Sequence, residues 1–236
     1  MRNYQLPGRS TVHSQQGMVA TSHPLASNVG IGILKKGGNA VDAAIAMALV
    51  LPLCEPQSTG FFGDVFALIK PSGSNSIIGL NGSGKSPENL TSSYIRSKGH
   101  VCMPNADVCS ITLPGAIAAF DSLHKKFGKL DLSDLCEPAI FYAENGVVVS
   151  PRVAFDWSYS ASTLKGAARG FYLNRDKPFK VGEVFFSPGQ AKMLSEFSKK
   201  GAAGFYEGEI ADDLIVSLQN LGGTHSFEDL DNVQAE

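Results

Sequence analysis

Residues 43–53, AAIAMALVLPL, contain no polar side chain. A helix that is apolar all round is expected to be buried on all faces, and eleven residues are too few to cross a bilayer. The flanks support a helix here. Gly37-Gly38 closes whatever precedes it, Asn39 stands at the N-cap, and Asp42 three residues later can accept from free amides at the positive helix end. Cys54-Glu55-Pro56 ends the run, residues 57–63 form a loop, and Val65–Ile69 reads as a core strand. Upstream, Leu25, Val29 and Ile33 fall at fourfold spacing. They predict a one-faced helix opened by Pro24, capped by Ser22 or His23, and finished at Lys35-Lys36. Residues 18–20 read as a short strand.

Residues 76–80 predict a second strand, joined to the first as a hairpin across residues 71–74. A third strand is expected over residues 108–113. Beyond it the pattern becomes helical, with periodic segments at 116–127, 132–144, 152–164, 189–199 and 211–221, separated by glycine and proline. A further turn begins at Phe227. No repeat or low-complexity linker divides the chain, so residues 1–236 are expected to form one domain. Strands followed by a helical layer define an α+β class.

With 43% hydrophobic and 18% charged residues the chain has the makeup of a globular protein. Its net charge of −2 gives no reason to expect a nucleic acid or an anionic membrane as partner. Cys54, Cys102, Cys109 and Cys136 form no C-x-x-C pair and do not cluster with histidine, so reduced thiols are expected rather than a zinc site or a disulfide framework. Neither a metal nor a cofactor is expected. Residues 1–17 lack the apolar segment of a secretory signal, which points to a cytoplasmic protein.

Gly79 to Ser86 satisfies the phosphate-loop pattern G-x-x-x-x-G-K-[ST] and follows a strand. Pro87, however, biases Ser86 away from the α region where the phosphate-loop helix must run, and no apolar strand ends in an aspartate for magnesium. The segment is read as a turn leaving the strand. Residues 58–64 could line a pocket or simply connect helix to strand, and Asp64 is the one residue there that packing does not explain. His23 is read as a cap; His100, His124 and His225, in loop or helix-surface contexts, receive no role. Tyr206 is expected to pack at a helix entry. The nucleophile-elbow signal G-x-S-x-G is absent.

Taken together, MVATSHPLAS, ILKKGGNAVDAAIA, EPQSTG, SITLPGAIAAF, FGKLDLSDLCEPAIFYAENGVVVSPR and GFYEGEIADDLIVSLQNLGGTHSFEDL occur in one order. They resemble the N-terminal part of the γ-glutamyltransferase (γ-glutamyltranspeptidase) family from about Gly17 onward. The resemblance implies an N-terminal-nucleophile hydrolase fold, a four-layer αββα sandwich, incomplete in this chain. It also implies a precursor that cleaves itself into large and small subunits. The nucleophile is then a threonine at the start of the small subunit, with its own α-amine as base, acting on γ-glutamyl amides of the glutathione type through an acyl-enzyme. That threonine is expected beyond Glu236, so no catalytic residue is assigned here and residues 1–236 alone are expected to be inactive. The implied partners are a small γ-glutamyl or related amide and the small subunit of the same precursor.

Two departures bear on specificity. The glycine-rich run of typical members is here Gly60-Phe61-Phe62-Gly63-Asp64. The arginine that grips the substrate carboxylate, four residues before a proline, is here Ser83, with Lys85 two residues on and on the same face if the strand continues. Ser83, Lys85 and Asp64 are therefore the candidate substrate-binding residues. An amide acylase with a non-glutamyl substrate, or a non-catalytic remnant that binds a partner, are the alternative readings.

Overall fold

The computed structural model describes residues 11–236; the first ten residues of the N-terminal segment read above lie outside it. Helix α1 (Pro24–Lys35) starts on His23, whose Nδ1 accepts the Leu25 amide at 3.2 Å. Helix α2 (Ala40–Cys54) opens with a reciprocal capping box. Asn39 Oδ1 accepts from the Val41 and Asp42 amides, and Asp42 Oδ2 accepts from the Asn39 amide. The helix is not buried all round, contrary to the expectation from its composition. Ala44 is exposed and Met47, Ala48 and Leu51, at the i+3, i+4 and i+7 positions of the same side, are half-buried, so the neighbouring elements leave that side partly open.

Strand β1 (Val65–Ile69) pairs antiparallel with β2 (Ile78–Gly82), in register from Val65 opposite Gly82 to Ile69 opposite Ile78. The hairpin thus sits two residues later on its second arm than expected. Val65, Ala67, Ile69 and Leu80 turn toward the core, while Phe66 and Leu68 on the other face are 70% and 82% exposed. The backbone of Glu236 exchanges both hydrogen bonds with Asn81, the pattern of an antiparallel pair, at the free edge of β2.

Two expected strands are absent. Residues 18–20 form no strand pair with the described residues; Val19 instead packs its side chain on the core against Gly30. Residues 108–113 contain one 3₁₀ turn, Val108–Ser110, where Asp107 caps the Cys109 amide. Among the described residues, Leu113 alone in that segment makes a backbone–backbone bond to a distant segment, with its amide donating to Lys85 O.

A short α3 (Ser92–Ser97) precedes this turn, and α4 (Ala116–Phe127) and α5 (Leu132–Asn145) follow it. The two-residue strands β3 (Val147–Val148) and β4 (Val184–Phe185) bracket α6 (Pro151–Ser160) and α7 (Ala167–Tyr172). Here Trp157 and Phe185 anchor a separate cluster, and Trp157 Nε1 donates to Tyr172 O at 2.9 Å. Helices α8 (Pro188–Lys200), α9 (Ala203–Tyr206), α10 (Gly208–Asn220) and α11 (Phe227–Asp231) complete the chain. The core forms where α2 packs on α1, α4 and α5, α5 on α8, and α4 on the hairpin. No helix among the described residues is long and apolar enough to cross a membrane.

Candidate functional site

The hairpin delivers residues 83–88 to the surface beside the segment entering α4. The two backbones touch there, with no room for side chains between them. A Cβ at Gly84 would lie 1.7 Å from Leu113 O, and one at Gly115 would lie 2.3 Å from Gly82 O. Both contacts are backbone, so neither can yield cheaply. Gly63 O accepts from the Gly115 and Ala116 amides, which ties the loop before β1 into the same junction.

Asp64 secures the seam. Its Oδ1 accepts the Gly84 amide at 2.8 Å, and Asn81 Oδ1 accepts the neighbouring Ser83 amide at 3.0 Å. This disposes of phosphate-loop geometry: the Gly84 amide already faces a carboxylate, which repels a phosphate, and no helix follows until Ser92.

Ser83 and Lys85 meet at a cleft of about 160 Å³, which they share with Ser86, Leu113, Asp229 and Asn232. They reach it from a loop, since β2 ends at Gly82. Asp64 does not line the cleft; it stands behind Gly84 and orients the backbone that carries Ser83 and Lys85. Lys85 is mostly exposed, with its ammonium 3.8 Å from Glu236 Oε1. An exposed pair at that distance leaves the ammonium available to another anion.

The far wall is built by α11. Ser226 and Asp229 cap each other, and Asp229 Oδ1 accepts the Glu88 amide at 2.9 Å across the cleft. His225 is buried rather than on a surface. Its Nε2–H donates to Ile111 O at 2.9 Å and holds α11 against the segment before α4. Asp229 and the glycine seam escaped the sequence reading, although the G-S-G and P-G dipeptides marked where backbones could approach. Tyr206 packs as expected: its hydroxyl donates to Pro114 O and accepts the Ala118 amide.

All four cysteines are free thiols. Burial pushes the Cys54 and Cys136 thiols up to about 12, so neither is a nucleophile. No group of three or more His, Cys, Asp or Glu side chains among the described residues could hold a metal.

The arrangement of hairpin and helices superposes on solved enzymes. The family model for gamma-glutamyltranspeptidase matches residues 26–236, and the chain belongs to that family. It is 34% identical over 223 residues to the glutathione hydrolase-like YwrD proenzyme of Bacillus subtilis, covering 94% of this chain and 42% of that protein. Among solved structures, a cephalosporin acylase from Bacillus halodurans superposes with a TM-score of 0.92 at 37% identity, covering 99% of this chain and 45% of the other. A gamma-glutamyltranspeptidase from Helicobacter pylori gives 0.90 at 29%, covering 96% and 66%. The fold is thus that of the N-terminal-nucleophile hydrolases, and the chain spans about two fifths of the length of the curated relatives it matches.

Proposed function

We propose that residues 1–236 form the large-subunit part of a self-cleaving proenzyme that transfers or hydrolyses γ-glutamyl amides. The family match over residues 26–236 carries this reading. On it, the nucleophile is a threonine opening the small subunit, outside the present chain. Its Oγ bonds to the substrate carbonyl carbon as the amide C–N bond breaks. The hydroxyl proton passes to the threonine α-amine and on to the leaving amine. Water or a second amine then attacks the acyl ester and frees the threonine.

The share of this chain in that chemistry is scaffold and recognition. Phe66 and Leu68 on the open face of the hairpin suit a second sheet supplied by the remainder of the proenzyme. At the cleft, Lys85 offers a substrate carboxylate a point charge and Ser83 a single hydroxyl, where a guanidinium would supply two parallel bonds.

The weak grip makes a second reading specific: an amide acylase of the same fold whose acyl group lacks an α-carboxylate. Similarity to the cephalosporin acylase supports it alongside Ser83. Both readings are tested on the complete protein with a γ-glutamyl anilide and an anilide of a simple monocarboxylic acyl group, which has no second carboxylate. Ser83→Arg is expected to raise kcat/KM for the γ-glutamyl substrate by about 10–150-fold, the equivalent of a charge-assisted bond of about 1.5–3 kcal/mol. Ordinary family efficiency in the wild type, with no gain in Ser83→Arg, refutes the argument from the carboxylate grip. Absence of turnover on either substrate refutes the enzyme reading.

A further inference from the structure

A second cavity, of about 320 Å³, lies among α7, α8, α10 and the loop before β1. It shares no lining residue with the cleft at Ser83, and its volume falls within the range of small-molecule sites. The wall is apolar and rich in rings: Phe62, Phe171 and Tyr172 line it with Met193 and Leu214. Phe62 and Phe171 keep part of their surface exposed, whereas Met193 is buried at the floor.

The polar side chains that line this cavity are Tyr172, Gln190, Asp213 and Ser217, and Asp213 is the only charged one among them. Asp213 lies exposed among the lining residues and contributes a carboxylate. No lysine or arginine lines the cavity. The basic side chains on α7 and α8 are engaged elsewhere, Arg169 with Asp176, Lys192 with Glu209, and Lys199 and Lys200 with Glu196. Ring faces are themselves electron-rich and attract a cation. Rings and a lone carboxylate, with no lining cation, thus select one kind of ligand, an N–H donor with positive charge on a flat apolar body.

We propose that this cavity binds an arylalkylamine, with its ammonium group taken by Asp213 and its ring held among Phe62, Phe171 and Met193. The site is separate from the acyl chemistry proposed above and stands without it. Phe62 nevertheless precedes Asp64 by two residues, so an occupant would rest on the loop that secures the glycine seam.

The test is isothermal titration of the complete protein with phenethylamine, against phenethyl alcohol as the neutral analogue and 3-phenylpropionate as the anion. Phenethylamine is expected to bind at one saturable site, about tenfold or more tighter than the alcohol, with no binding of the anion. Asp213→Asn should remove that preference and leave the alcohol unaffected. Ser217→Trp, at an exposed position in the lining, should block both ligands, with circular dichroism confirming that each variant is folded. Equal affinity for amine, alcohol and anion overturns the proposal, as does an amine preference that survives Asp213→Asn. So does an absence of saturable amine binding, including the case where light scattering shows a dimer whose second copy occupies the face.

Discussion

Replacing Asp42 by alanine should destabilise the fold more than any surface change. The carboxylate is fully buried and accepts from three backbone amides. Oδ2 takes the Asn39 amide at 2.9 Å and the Leu130 amide at 3.3 Å, and Oδ1 takes the Lys129 amide at 3.0 Å. One side chain thereby starts α2 and fastens the α4–α5 connection to it. Its removal leaves three donors without acceptors. A buried unsatisfied group costs about 1–3 kcal/mol. Water can reach Lys129, so the lower part of that range applies and the total is about 3–5 kcal/mol. Against a domain stability of about 5–15 kcal/mol this is a large fraction. At this chain length it corresponds to a fall in Tm of about 6–20 °C. Urea unfolding followed by far-UV circular dichroism measures it, with Asp42→Asn expected to recover part of the loss because one acceptor oxygen remains. Asp134→Ala is the control. It breaks a 2.8 Å pair with the exposed Lys36 and should cost at most about 1 kcal/mol. If Asp42→Ala unfolds within about 1 kcal/mol of the wild type, the carboxylate is not the tie that the geometry makes it.

Three further outcomes are expected. Desolvation holds His23 below its ordinary value of 6.5, with Glu55 opposing more weakly, so the unfolded chain takes up the proton first. Stability should therefore fall as the pH drops below about 6.5 toward the folded-state value, and His23→Asn, which keeps a capping acceptor, should flatten that part of the profile in urea melts at stepped pH. Native protein should expose one fast-reacting thiol to Ellman's reagent, Cys102, because Cys54, Cys109 and Cys136 are buried; a fast thiol persisting in Cys102→Ser would contradict this. Titration with Mg-ATP should show no saturable site, since the Gly84 amide is occupied by Asp64; a site that is lost in Lys85→Ala would overturn the reading of residues 79–86 as a turn.

The parts of the fold legible in the sequence were those fixed by neighbours in the chain. Asn39 and Asp42 announce the start of α2, and their side chains bond within the same turn. Gly128, which ends α4, and Gly146, which ends α5, mark stops that the residues themselves impose. Failures came where distant contacts decide. The apolar alternation around Val108 and Ile111 imitates a strand, yet Asp107 caps a tight turn there and leaves Ile111 partly exposed. Residues 147–185 fold around Trp157, Phe179 and Phe185 through ring contacts that have no period along the chain, so β3, α7 and β4 went unseen. The apolar composition of α2 said nothing about which side its neighbours would leave open.

For the candidate site the same division has a chemical consequence. Ser83 and Lys85 were visible as departures from a family pattern, but what positions them is backbone contact, which side-chain identity does not report. Gly84 against Leu113 and Gly115 against Gly82 allow no side chain between the hairpin and the start of α4. Helix α4 in turn packs on α2, whose capping residues are tied into the α4–α5 connection. The core therefore sets the path of residues 82–85, while the side chains at 83 and 85 stay free to vary at the cleft. On the proposed function, substitution of Ser83 or Lys85 is expected to alter which anion is held, whereas a side chain at Gly84 or Gly115 must displace the loop from the core. If the proposed acyl transfer holds, such a pair of positions lets the framework stay while the acyl group changes.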